Sequence, residues 1–237
     1  MTQPETSSPA ASPGAARTQR QAATLELARS AGILAVLTVH DVPAALAVAG
    51  ALARGGLTAV ELALRSTQAM PALGALVRAG TGLTIGAGTV CNAQQAREAI
   101  ERGAAFLVTP ATPAPLAAAL ADLPIPAIPG AATPTEMLAL IQAGFDVVKL
   151  FPAKACGGLE MVRSLAGPFP GLALCPTGGI AESDAADYLR QPNVACVGGS
   201  WMVRPEWIRG GEWHRIEEAA RRARALLDEL GSTRGRY

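Results

Sequence analysis

The sequence predicts an α/β chain folded as a single-domain (β/α)8 barrel, the TIM barrel, with a short N-terminal helix, and three observations carry that expectation. From Thr24 onward short β-like runs alternate with helical patterns, as in a parallel sheet whose strands are covered on both faces. Eight such units in about 210 residues sit near the lower size limit of the barrel. Half of the residues are apolar, aromatics make up only 4%, and Gly (25) and Pro (18) are plentiful, which fits short aliphatic strands punctuated by tight turns. Alternation does not by itself show closure, so an open doubly wound sheet is the alternative.

Taken in order, residues 1–22 are rich in Ala, Ser, Pro and Thr without apolar periodicity and read as a disordered tail, ahead of a barrel domain over 23–237. The tail lacks the apolar run of a signal peptide, and no later apolar stretch reaches the roughly 20 residues of a membrane span, so a soluble, cytoplasmic protein is expected. Residues 25–31 form a short helix suited to capping the barrel floor. The expected strands are 33–39, 59–64, 83–88, 106–109, 125–129, 147–151, 172–176 and 194–198. Between them fall helices at 42–54, 68–78, 93–102, 115–120, 134–143, 159–165 and 183–190, and 214–230 closes the chain. Three helix starts carry cap signals: Asp41 ahead of Pro43, Asn92 ahead of Gln95, and Thr133 followed by Pro134 and Glu136.

A net charge of +1 with 16% charged residues gives no reason to expect nucleic acid or an anionic membrane as partner. Small molecules or copies of the same chain are the expected partners. Cys91, Cys156, Cys175 and Cys196 are widely spaced without a CxxC and read as reduced thiols. His40 and His214 lie far apart, no His/Cys/Asp cluster has metal-ligand spacing, and no metal is expected. The run from Gly86 breaks the G-x-G-x-x-G fingerprint at Cys91, and there is no Walker loop or G-x-S-x-G elbow. No cofactor is expected.

Barrel chemistry is built at the carboxyl ends of the strands, and polar residues collect there. On the second strand Glu61, Ala63 and Arg65 share a parity, which puts a carboxylate inside the barrel and a guanidinium at its rim if that face points inward; a structural ion pair between the two is the plainer reading. On the sixth, Lys149 interrupts an otherwise apolar run. Burying an ammonium costs several kcal/mol, and the usual outcome is a lowered pKa and a nucleophilic neutral amine, able to attack a ketone and form an iminium. The plainer alternative is a lysine that snorkels to the mouth and merely pairs with a carboxylate. Of the 20 Lys and Arg residues only Lys149 and Lys154 are lysines, and Lys154, in a polar loop, reads as solvated. Gly86 and Gly88 leave room inside the barrel for a long side chain such as Lys149, or simply mark tight packing. Thr177-Gly178-Gly179 and Gly198-Gly199-Ser200 lie at the exits of the last two strands. Amides freed by glycine, with a helix start beyond, suit an anion, and barrels often hold phosphate there; two ordinary glycine turns are the alternative.

These residues resemble the 2-keto-3-deoxy-6-phosphogluconate (KDPG) aldolase family, small class I aldolases that include the 2-keto-4-hydroxyglutarate (KHG) aldolases. The resemblance spans residues 24–225 and is carried by GLTAVELALR (56–65), IGAGTV (85–90), IPG (128–130), GFDVVKLFPAKACGG (144–158), CPTGGI (175–180) and VGGSW (197–201). It implies that Lys149 forms the imine and Glu61 shuttles protons. Arg65 and Thr89 would hold the pyruvate carboxylate, while Thr177, Phe151 and Pro110 would line the substrate pocket. Gly178, Gly179, Gly198 and Ser200 would bind phosphate. It also implies a homotrimer that needs no metal. Ala63 and Ala35 stand where relatives often carry Thr and Pro. Arg65 and Thr177 favour cleavage of the gluconate-derived keto acid over its galactonate epimer. The expected reaction is reversible cleavage of KDPG to pyruvate and glyceraldehyde 3-phosphate. The alternatives are the same chemistry on KHG or the galactonate epimer, and a sugar-phosphate-binding barrel without turnover.

Overall fold

In the computed structural model, which describes residues 13–234, two parallel ladders carry the site. The first runs in the order β5-β4-β3-β2-β1-β9, from β1 (Ile33–Leu37), β2 (Ala59–Ala63), β3 (Thr84–Gly88), β4 (Phe106–Val108), β5 (Ala127–Ile128) and β9 (Val197–Gly199). The second joins β6 (Gly130–Ala131), β7 (Val147–Leu150) and β8 (Ala173–Leu174). Only Pro129, which has no N–H to donate, separates β5 from β6, so the two are halves of one stave. At the other seam, parallel bridges pair Leu174 with Val194 and Thr177 with Gly198. The ladders therefore meet at both ends, and eight staves enclose one interior, the closure that alternation in the sequence leaves open.

Strand periodicity sorts the core into two layers. One parity of the staves, including Ile33, Leu37, Val60, Leu62, Leu107 and Val148, packs outward beneath α2 (Val42–Arg54), α3 (Ala69–Ala79) and the other covering helices. The opposite parity, including Leu34, Ala59, Phe106, Val108, Ile128, Val147, Cys175 and Cys196, fills the barrel. Each fully buried Leu, Ile or Phe contributes about 1.5–3 kcal/mol, so both parities are committed to burial and the staves tolerate no register slip.

The helix starts follow their cap signals. Asp41 accepts from the Ala44 N–H at 2.7 Å, and Asn92 from the Gln95 N–H at 2.9 Å to open α4 (Ala93–Glu101). α5 (Ala114–Ala121) is followed by α6 (Pro134–Ala143), which opens with a full capping box. There the Ala132 N–H bonds Glu136, and Thr133 adds more, so the Glu136 carboxyl sits below its ordinary range. α7 (Gly158–Ala166), α8 (Ala185–Leu189) and the long α10 (Trp213–Arg234) complete the cover, together with α9 (Pro205–Arg209), a short helix the sequence pattern did not suggest.

The N-terminus departs from expectation. Helix α1 runs from Pro13 to Ala31, so residues 13–22 are helical and not part of a disordered tail; residues 1–12 of that tail lie outside the described residues. Its Ala, Arg and Gln residues are good helix formers even without an apolar stripe. Tertiary contacts hold it in place: Arg20 and Gln21 donate to the Ala121 and Gly144 carbonyls, left over at the ends of α5 and α6. Ala28 and Ala31 then close the barrel interior from below.

Candidate active site

Lys149 lies on β7 opposite Gly130, and Glu61 on β2 opposite Gly86. Both side chains point into the barrel. The Lys149 Nζ donates to Glu61 Oε1 at 2.9 Å, and the two residues are 3% and 1% exposed. The carboxylate thus pairs with the lysine of a distant stave, where the plainer sequence reading had it pairing with Arg65. The second oxygen, Glu61 Oε2, is buried without a partner, a costly state that a transferred proton or a substrate hydroxyl would relieve.

The room these side chains need comes from glycines, and of the two sequence readings of the third strand it is tight packing that the structure shows. A β-carbon on Gly88 would collide with Glu61, and one on Gly86 with the Phe106 ring. It is therefore Glu61 and Phe106, and not Lys149, that occupy the space beside the third strand. Gly198 plays the same part for Thr177, whose hydroxyl lies where a β-carbon would stand. Thr177, 4% exposed, donates to the Cys175 carbonyl at 3.3 Å. Deeper in the barrel Cys196 is wholly buried; its hydrogen bond with Cys175, and then burial itself, push its thiol well above the ordinary range and keep it neutral beneath the ion pair. All four cysteines are unpaired.

Above the ion pair opens a cavity of about 320 Å3 at the carboxyl end of the staves. Lys149 and Phe151 form its inner wall, with the ammonium 5.3 Å from the centre of the phenyl ring, a cation–π distance. Arg65 stands exposed at the rim and pairs with no carboxylate among the described residues. Thr177, Gly178, Gly179, Gly198, Gly199 and Ser200 form the far side. Among the described residues the backbone N–H groups of Gly178, Gly179 and Ser200 bond to no loop carbonyl, which leaves three donors free at one end. No carboxylate lines this cavity.

Neither Thr89 nor Pro110 lines this cavity; the Leu64 N–H donates to the Gly88 carbonyl at 2.8 Å, which sets Thr89 at the exit of the third strand next to the Leu64–Arg65 exit of the second. Thr89 is a β-branched residue held at φ 58°, a strained conformation of the kind that clusters at functional sites. The Pro110 carbonyl packs against Gly130, across β6 from Lys149. The sequence reading misses the wall residues Ile180, Val203 and Pro205, and on the first strand Val36 and Thr38, which continue the inward parity of Leu34, a signal that parity alone supplies. Among the described residues no group of three or more His, Cys, Asp or Glu gathers as a metal site, and no helix is long and apolar enough to cross a membrane.

An amine able to hand its proton to a buried carboxylate, at the closed end of a cavity whose open end offers amides to an anion, is the equipment of a class I aldolase. The comparisons carry this to a family. The sequence pattern of the KDPG and KHG aldolases matches residues 25–219. A 2-dehydro-3-deoxy-phosphogluconate aldolase of Pseudomonas aeruginosa is 39% identical over 205 residues, 86% of this chain and 93% of that protein. The KDPG aldolase of Legionella pneumophila, solved with pyruvate captured as a covalent carbinolamine, superposes with a TM-score of 0.79 at 35% identity, covering 89% of this chain and 97% of that one. The corresponding aldolase of Zymomonas mobilis, solved with 3-phosphoglycerate, superposes with a TM-score of 0.80 at 34% identity, covering 85% and 94%. The chain belongs to the KDPG and KHG aldolase family.

Proposed function

We propose that the protein reversibly cleaves KDPG to pyruvate and glyceraldehyde 3-phosphate through an imine on Lys149. The observation that carries this is the buried Lys149–Glu61 hydrogen bond at the inner end of the cavity. Transfer of the shared proton to Glu61 frees the amine to attack the C2 ketone. Glu61 returns the proton to the carbinolamine hydroxyl, which leaves as water and gives the iminium. Glu61 then accepts the proton of the C4 hydroxyl, directly or through a water. The C3–C4 bond breaks as its electrons enter the iminium to form an enamine, and glyceraldehyde 3-phosphate departs. Protonation at C3 and hydrolysis release pyruvate and restore the amine.

Arg65, with no carboxylate partner among the described residues, suits bidentate capture of the substrate carboxylate, and the strained Thr89 at the neighbouring strand exit is assigned to the same group. Phe151, Thr177 and Pro110 are assigned to the wall about the lysine. The amides at Gly178, Gly179 and Ser200, with Gly198 making room for Thr177, suit the phosphate. The substrate is thus a small phosphorylated 2-keto acid. A homotrimer working in the cytoplasm without metal or cofactor belongs to the same proposal.

A second reading, the same chemistry on KHG, follows from the scope of the family and is separated by kcat/KM for KDPG, its galactonate epimer and KHG. KDPG is expected to be preferred; a clear preference for either competitor would replace it. Ser200→Ala, which removes the hydroxyl and keeps the amide, is expected to lower kcat/KM for KDPG by about tenfold with little effect on unphosphorylated 2-keto-3-deoxygluconate, the loss belonging to one hydrogen bond from the hydroxyl to a charged group. Equal losses on both would remove the phosphate assignment. Gly88→Ala is expected to push Glu61 out of line, lowering kcat at least about tenfold and stability by about 1–3 kcal/mol, read by steady-state kinetics and thermal melting. Unchanged kcat would mean that Glu61 need not sit where Gly88 allows it.

A further inference from the structure

Lys154 follows the sixth stave into the loop beyond it. The Ala153 N–H donates to the Thr177 carbonyl at 2.7 Å and the Lys154 N–H to the Gly178 carbonyl at 3.0 Å, so the pairing of β7 with β8 continues past both strands. Lys154 is thereby fixed in register with the glycine run. Its aliphatic stem lies along Gly179, where a β-carbon would stand 2.7 Å from Lys154 Cβ and 3.2 Å from Cδ. The residue is exposed, and it pairs with no carboxylate among the described residues, whereas Glu182, three residues beyond Gly179, is taken up by Arg222.

Lys154 does not itself line the cavity, but its stem runs along Gly179 at the cavity's edge. An unpaired cation carried there, next to the free amides of Gly178, Gly179 and Ser200 and a lining with no carboxylate, complements a dianion. The stave order places it opposite Arg65: β2 and β7 are four staves apart in a ring of eight. A substrate anionic at both ends would span the mouth between the two cations. We propose that Lys154 is a specificity-determining residue, holding the phosphate end against the glycine loops and setting the preference for phosphorylated over unphosphorylated 2-keto acids. This rests on the assignment of phosphate to those loops.

The readout is the ratio of kcat/KM for KDPG to that for its dephosphorylated form, 2-keto-3-deoxygluconate, whose far end carries no charge, with the Ki of inorganic phosphate as competitive inhibitor. Lys154→Gln is expected to lower the ratio by about fivefold, chiefly through KM, and to raise the Ki similarly, the size of one partly screened ion pair. Lys154→Glu should lower the ratio further, and Lys154→Arg should restore it. Because both substrates share the imine chemistry, a general loss of folded enzyme leaves the ratio unmoved. A ratio within about twofold of wild type in Lys154→Gln, while Ser200→Ala still lowers it, overturns the role of Lys154 and leaves the phosphate end in place. A ratio unmoved by both variants removes the phosphate assignment and this inference with it.

Discussion

Lys149→Arg is expected to lose turnover by about 10³-fold or more, and treatment with pyruvate and borohydride is expected to leave its mass unchanged. The wild type under the same treatment should gain one reduced pyruvate, and peptide mapping should place it on residues 144–158, the segment with both lysines, with fragmentation assigning Lys149. Arginine keeps the charge beside Glu61 and much of the volume, so the loss is of nucleophilicity: a guanidinium stays protonated and cannot form an imine. A bulkier head in a closed barrel also strains its neighbours. Trapping answers that concern, since it reads bond formation in the wild type independently of any variant's stability. An adduct on Lys154, or normal turnover by Lys149→Arg, would refute the mechanism.

Glu61→Gln is expected to lower kcat by about 10²–10⁴-fold, the range supplied by a positioned acid or base. The amide keeps the shape and can still accept from the Lys149 amine, so the lysine stays in place. What is lost is the ability to carry a proton, needed both when the carbinolamine loses water and when the C4 hydroxyl is deprotonated. The adduct with pyruvate should therefore still form under borohydride, but slowly, which separates Glu61 from Lys149. A kcat within about threefold of wild type would show that another group or water carries the proton. Removing the carboxylate charge also leaves a buried ammonium unpaired, and breaking such a pair costs about 3–5 kcal/mol, so a lowered melting temperature should accompany the kinetic loss.

Some of this was legible before any coordinates. Lys149 announces itself because a strand interior has no cheap way to hold an ammonium, and Glu61 and Arg65 announce a common face because strand parity is fixed by the backbone. Neither signal says who meets whom. Glu61 and Lys149 are 88 residues apart, and it is the curvature of the staves, seen in no local run, that closes the 2.9 Å contact and leaves Arg65 free at the rim. The glycines of β3 show the same limit: their small size was plain, yet whether Lys149, Glu61 or Phe106 fills the space is decided by which side chains converge from across the barrel. Residues 13–22 misled because a helix without an apolar stripe gives no periodic signal, and its anchors are the orphan carbonyls of two later helices.

The sequence by itself determined the eight alternating units, which residues share a face of each stave and the chemical types available at their exits, because these depend on spacing and residue identity along a few residues of chain. Only the tertiary structure decided the lysine–carboxylate couple, the free amides of the glycine loops, the hold of Lys154 on Gly179 and the strain at Thr89. Those depend on distances between segments far apart in sequence, which ring closure sets and local patterning does not encode.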